Sequence, residues 1–218
     1  MGTGHWSPHW QCYCATIVVV NLPSTQSIKA LHHKYSPCDE VFDLIWQHSC
    51  IVRDVALQLI DTNSLGVDTD LVRVGSMLHD IGAYPLFGTD GTLRAGVNYI
   101  THGVEGETIL KREGYPESIW RFASHHTGVG LTKQDVISQK LPLPIDDYLA
   151  ETEAELLIMY ADKFHSKTTP PYLNSFEWYK GDVSRFGADK VAKFEKLAQK
   201  FGKPDLEILS KKYGYDIR

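Results

Sequence analysis

Between residues 36 and 60, Val41, Ile45, His48, Val52, Val55 and Leu59 recur at steps of three and four. Only an α-helix puts such a series on one face, so this stretch is a helix with that face turned to a core. Ser36-Pro37-Cys38-Asp39 reads as its start, with Ser36 as N-cap, Pro37 at the first helical position and Asp39 in the first turn. One member of the stripe is a histidine. An imidazole aimed at a core needs a partner, because buried polar groups are costly when left unpaired.

The same period returns along the chain, interrupted by Gly and Pro. A second helix starts at Asp68 or Thr69, carries Leu71, Val72, Val74 and Leu78, and ends at His79-Asp80 with Gly82 as its stop. A third begins near Thr101 and has His102 in its first turn. Pro116 opens a fourth, with Ile119, Phe122, Ala123 and His126 on one face. A fifth covers residues 151–165 and includes Asp162, and two more cover residues 188–201 and 204–213. Nothing beyond residue 20 alternates with period two, so the expected fold is all-α. Loops at 82–98, 127–148 and 166–176 are the natural substrate-facing material.

The chain of 218 residues is long enough for one well-buried domain. Residues 1–24 read as an N-terminal extension and residues 25–218 as the domain proper with its C-terminal helices. The apolar run at 15–20 is far shorter than the roughly 20 residues of a membrane span, and no Lys or Arg precedes it as a signal peptide requires. The expected location is cytoplasmic. Trp6, Trp10 and residues 17–20 either make an interface, giving a homo-oligomer, or pack on their own domain. Cys12, Cys14, Cys38 and Cys50 have no zinc-knuckle or thioredoxin spacing and read as reduced thiols. A net charge of −5 argues against nonspecific nucleic-acid binding, while leaving room for a local phosphate pocket.

Five helices thus each bring an imidazole or carboxylate to a core-facing position. Taken singly, His48 reads as a satisfied core histidine and Asp162 as a buried ion-pair partner. A shared cation explains all of them together. Mixed imidazole and carboxylate donors without thiolates suit Fe, Mn, Co or Zn at a reactive site rather than a structural zinc.

The order His48, His79-Asp80-Ile81-Gly82, Asp162 resembles the HD superfamily of metal-dependent phosphohydrolases. Ala161-Asp162-Lys163 is similar to that family's last motif, and the likeness covers about residues 35–166. The resemblance implies an HD-domain helical bundle with the metal between helices. It implies that His48, His79, Asp80 and Asp162 ligate one metal, with His79 and Asp80 central to catalysis. His102 and a histidine of the 125/126 pair stand where two-metal members carry further ligands, and Asp80 would bridge the two ions. His126 is favoured, since it continues the Ile119/Phe122/Ala123 stripe and His126-Thr127-Gly128 is similar to a motif of those members. His125, about 100° round the helix, is either a substrate contact or a surface residue. Glu105 is either an acceptor that orients His102 or an exposed carboxylate.

The activity implied is hydrolysis of a phosphomonoester or phosphodiester of a nucleotide or small metabolite by metal-activated water. The alternatives are a mixed-valent di-iron oxygenase on the same scaffold, or a regulatory module that binds metal or nucleotide. One departure stands out. Many relatives carry Lys directly after His-Asp-x-Gly, and here the position is Ala83. Either Arg94, Lys133 or Lys163 supplies that positive charge, or the substrate is bound differently.

Overall fold

The structure is a computed structural model that describes residues 22–218. The expectations placed on residues 1–21, including Trp6, Trp10, Cys12, Cys14 and the apolar run, lie outside the described residues. Ten α-helices make up the described fold: α1 Thr25–Tyr35, α2 Asp39–Asn63, α3 Thr69–Leu78, α4 His102–Arg112, α5 Glu117–Ser124, α6 Lys133–Ser138, α7 Glu153–Ala161, α8 Phe176–Val183, α9 Ala188–Phe201 and α10 Leu206–Tyr213. The sheet content is two short antiparallel strands, β1 His165–Ser166 and β2 Tyr172–Leu173. The fold is an all-α bundle, as the helical periodicity requires.

Helix α2 is the axis of the bundle. It packs against α1, α3, α7, α9 and α10, which is why its stripe is longer than any other. Val41, Ile45, Val52, Val55 and Leu59 are all buried in one core that runs from Ile28 to Leu209. Each such side chain contributes about 1.5–3 kcal/mol when fully removed from water. A small satellite core of Leu131, Val136 and Tyr148 closes the loop region around α6.

Several local expectations are corrected. Ser36 does not cap α2. Its amide closes the end of α1 on the His32 carbonyl, its hydroxyl donates to the Cys38 carbonyl, and Cys38 stands at the N-cap without a side-chain bond. Pro37 therefore lies in the connection between two helices, the first of which the sequence reading missed. Gly82 is not a helix stop either. The chain continues from Asp80 into a 3-10 turn, Ile81–Leu86. A Cβ on Gly82 would come within 2.0 Å of the Gly106 nitrogen and 2.1 Å of the His102 carbonyl oxygen. Its lack of a side chain lets α4 press directly on that turn. Helix α7 ends at Ala161, and Asp162–Phe164 form a 3-10 turn that leads into β1.

The C-terminus braces that turn. Asn174 donates from Nδ2 to the Lys163 carbonyl at 3.0 Å, and Arg218 donates from Nε to Asn174 Oδ1 at 2.8 Å. The guanidinium of Arg218 also lies 3.8 Å above the Trp178 ring.

Candidate metal centre

Helix ends, rather than helix middles, deliver most of the polar groups at the centre of the bundle. His79 caps α3, and Asp80 follows it. His102 opens α4, and His126 lies just beyond the end of α5. Asp162 follows α7. His48 alone comes from mid-helix, on the buried stripe of α2. Chain reversals at helix ends let short side chains from separate elements meet at one point.

They meet closely. His48 Nε2 lies 3.1 Å from His79 Nε2, 3.3 Å from Asp80 Oδ2 and 3.0 Å from Asp162 Oδ1. On the other side of Asp80, Oδ1 lies 3.4 Å from His102 Nε2 and 3.5 Å from His126 Nε2. The Asp80 carboxylate therefore divides the cluster, one oxygen toward His48 and the other toward His102 and His126. Two overlapping groups, His48/His79/Asp162 and His79/Asp80/His126, have their donor atoms within 4.8 Å of one another and could each hold a metal ion.

The protonation pattern fits a cation. His79 Nδ1 lies 2.7 Å from the Ser76 carbonyl oxygen, His102 Nδ1 2.7 Å from that of Tyr99, and His126 Nδ1 3.1 Å from that of Phe122. Carbonyls only accept, so each Nδ1 carries a proton and each Nε2 is the ring nitrogen left facing inward. Burial holds the His48 pKa down to about 4 and that of His102 down to about 3, and it lowers that of His126 as well. Burial alone would raise the Asp80 and Asp162 carboxyls. The Lys167 ammonium beside Asp80 and the Lys163 ammonium beside Asp162 outweigh it and hold both well below the usual carboxylate range. Asp80 Oδ1 is buried and accepts no hydrogen bond. Inward-facing Nε2 atoms, ionised carboxylates and an orphaned oxygen at one buried point form a donor set that could hold a divalent metal ion.

The second histidine of the 125/126 pair turns elsewhere. His125 Nδ1 lies 2.7 Å from Ser124 Oγ, and its ring faces Tyr148 in a polar cavity shared with Glu107, Arg121 and Glu151. Glu105 is exposed and the His102 Nδ1 proton goes to the Tyr99 carbonyl, so the orienting acceptor is backbone rather than carboxylate. Lys163 is buried behind the cluster, 2.5 Å from Asp162 Oδ2 and donating to the His126 carbonyl at 3.0 Å. Arg94 is exposed and donates to the Phe87 carbonyl, and Lys133 is an exposed residue at the start of α6. Neither forms a hydrogen bond or ion pair with the six clustered residues.

Two residues at the centre escaped the sequence reading. His165, on β1, places its Nδ1 2.8 Å from His48 Nδ1 and so orients that ring. Lys167, just after β1, brings its ammonium onto Asp80 Oδ2. Both follow Asp162 within five residues, outside any helical period, and that proximity was the available signal. Beside the cluster, His102 forms part of the wall of a cavity of about 410 Å³, together with Tyr99, Ile100, Val129, Leu131, Tyr179 and Phe186.

Bundle and site together define an all-α protein with a buried histidine–aspartate centre able to hold divalent metal. The model of the HD domain family matches residues 45–167, more than half of the chain, and the chain belongs to that family. Among curated proteins, a tRNA (cytidine(56)-2′-O)-methyltransferase of Picrophilus torridus is 36% identical over 124 residues, covering 57% of this chain and 32% of that protein. A protein of the same name from Thermoplasma volcanium is 27% identical over 186 residues, covering 85% of this chain and 43% of the relative. The chain thus spans less than half the length of either. Among solved structures, the HD domain of the L. monocytogenes phosphodiesterase PgpH superposes with a TM-score of 0.50 at 20% identity, covering 85% of this chain and 98% of that one. That likeness is one of fold. No helix among the described residues is long and apolar enough to cross a membrane.

Proposed function

We propose that this chain is a metal-dependent phosphohydrolase that cleaves a phosphomonoester or phosphodiester of a nucleotide or small metabolite. The observation that carries the reading is the division of Asp80, whose Oδ2 faces His48, itself in contact with His79 and Asp162, while Oδ1 faces His102 and His126. His48, His79, Asp80 and Asp162 would hold one ion, and Asp80, His102 and His126 a second. Bound ions there supply charge stabilisation for a phosphoryl group and a water of lowered pKa. The protein's own part is orientation. Backbone carbonyls fix three imidazole tautomers, His165 fixes the fourth ring, and burial keeps bulk water from competing for the donors.

The cavity beside His102 is the space for the organic part of the substrate, the group released from the phosphoryl on hydrolysis or the one that stays bonded to it. Its volume falls within the roughly 300–1,000 Å³ of small-molecule sites, and its wall is mainly apolar and aromatic. The donor set described above serves a cation rather than a methyl donor.

The test is phosphate release from a panel of nucleoside mono- and diphosphates, cyclic dinucleotides and sugar phosphates, with Mn²⁺, Co²⁺, Fe²⁺ or Zn²⁺ added in turn. Activity should vanish in the Asp80→Asn protein. Oxygen consumption with iron and no phosphate release with any metal would replace this reading with the di-iron oxygenase.

A further inference from the structure

Lys167 and the Tyr99 hydroxyl are two polar groups at the centre that neither the donor set nor the fold explains. Lys167 sits in a turn pinned by the Thr168 hydroxyl, which donates to the Pro170 carbonyl at 2.7 Å. Its side chain is only 18% exposed and its ammonium rests on Asp80 Oδ2. A cation on Asp80 would claim that oxygen and repel the ammonium. Lys167 then needs another anion within reach, since a secluded ammonium without a partner is costly.

Tyr99 supplies the second, independent sign. It begins the 3-10 turn Tyr99–Thr101 and its ring stacks on His102 with centroids 4.7 Å apart. Its hydroxyl is buried and has no hydrogen-bond partner. The Lys167 ammonium lies 5.6 Å from the centre of the same ring. Tyr99 and His102 both line the cavity of about 410 Å³, so a ligand in it lies against the Tyr99 ring and His102. The other cations considered for this role are engaged. Lys163 is held by Asp162 and the His126 carbonyl, and the exposed Arg94 is held at the Phe87 carbonyl.

We propose that Lys167 Nζ and the Tyr99 hydroxyl form an oxyanion subsite. With Asp80 taken up by metal, the two donate together to one oxygen of a tetrahedral anion, either the substrate phosphoryl group or released phosphate. The subsite replaces the cation missing at Ala83, and it rests on the phosphohydrolase reading only for the identity of the anion.

The experiment is calorimetric titration of the full-length, Mn²⁺-loaded protein with inorganic phosphate, alongside a separate titration with Mn²⁺. Lys167→Met should weaken phosphate binding about tenfold or more, and Tyr99→Phe about threefold to tenfold, as loss of a charged and a neutral hydrogen bond implies. Mn²⁺ affinity should be equal or tighter in Lys167→Met, because the competing ammonium is gone. Tyr99→Phe keeps the ring stack on His102, so it decides the matter if Lys167→Met fails to fold. Wild-type phosphate affinity in both variants overturns the subsite. Loss of Mn²⁺ affinity in Lys167→Met overturns it too, since Lys167 would then be building the metal site. A wild-type protein that binds phosphate through Lys167 yet hydrolyses no phosphate ester overturns the enzymatic reading and leaves the subsite standing.

Discussion

His102 Nε2 and His126 Nε2 face each other at 2.9 Å while both rings already donate their Nδ1 protons to backbone carbonyls. No proton remains to bridge the two nitrogens, and burial lowers both pKa values, so protonation near neutral pH does not supply one. The rest of the bundle holds two lone pairs in opposition, and a cation between them removes the conflict. Metal should therefore raise stability strongly. At about 100 times its Kd a ligand of the native state adds about 2.7 kcal/mol, or about 5–10 °C in melting temperature for a chain of this size. Thermal melts with EDTA and then with Mn²⁺, Fe²⁺ or Zn²⁺ measure it. Coincident melts under all conditions would remove the metal from the argument.

Because Asp80 serves both halves, the two halves should be separable by mutation. His126→Ala should lower bound metal from two equivalents toward one while His48 and Asp162 still hold the first ion. Turnover should fall about 100-fold or more, since the substrate loses half of its clamp. Elemental analysis of His126→Ala and His48→Ala proteins, purified alike, reads this directly. An unchanged stoichiometry in His126→Ala would mean that the second group holds no ion.

His165 acts on the site only through His48. Its Nδ1 is 2.8 Å from that of His48, and its own Nε2 is buried without a partner. His165→Ala should weaken metal binding about 10–100-fold, the usual effect of removing a group that orients a ligand. Saturating metal should restore most of the turnover. A turnover loss that excess metal leaves untouched would instead place His165 at the substrate.

Much of this site was legible because its residues sit on or beside strong helical stripes. His48 shares one stripe of α2 with the buried Val41, Ile45, Val52, Val55 and Leu59, and His126 prolongs the buried face of α5. The stripe also pointed to His126 over His125, although His126 lies past the helix end and keeps its bearing only through the Phe122 carbonyl. Lys167 and His165 were not legible by the same means. A two-residue strand has no measurable period, and their partners lie 87 and 117 positions away. Helices α1, α6 and α8 were missed because each buries only one or two apolar side chains, so their pattern is faint. Gly82 was misread because its reason is a neighbour 24 residues on, which local punctuation rules do not see.

That neighbour makes Gly82 a sharp test of how the site is assembled. Gly82→Ala would drive a methyl group into the α4 backbone at Gly106 and at the carbonyl of His102 itself. Backbone cannot swing aside as a side chain can, so a loss of about 2–4 kcal/mol is expected, with His102 displaced. Gly66 is the matched control, since a Cβ there meets nothing within 4 Å. Gly66→Ala should be neutral or stabilising by up to about 1 kcal/mol. Urea unfolding of the two variants should give opposite signs; similar losses in both would show that the close approach of α4 is not rigid.

The remaining prediction concerns acid stability and lies away from the metal ligands. Asp135, in the first turn of α6, accepts from the Thr132 amide and hydroxyl, each at 2.7 Å, and pairs with the buried Lys190 of α9 at 2.5 Å. Partial burial would raise its carboxyl, but Lys190 and the Thr132 donors outweigh that and hold the pKa at about 2. Because the folded value lies below the roughly 3.9 of an unfolded aspartate, the folded state binds the proton less readily than the unfolded one. The pair's contribution is therefore complete above about pH 4 and is lost as pH falls toward 2. Solvent at the edge of the pair reduces it to about 1 kcal/mol. Asp135→Asn keeps an acceptor for Thr132 but leaves Lys190 with only the Gly130 carbonyl at 3.3 Å, so the variant should be about 1–3 kcal/mol less stable near neutral pH. Urea melts at about pH 7, 5, 3.5 and 2.5 should show a deficit that is constant over the first two and shrinks over the last two. A deficit that stays constant to the lowest pH would mean that packing around α6, rather than the ion pair, ties α9 to the loop beside the cavity.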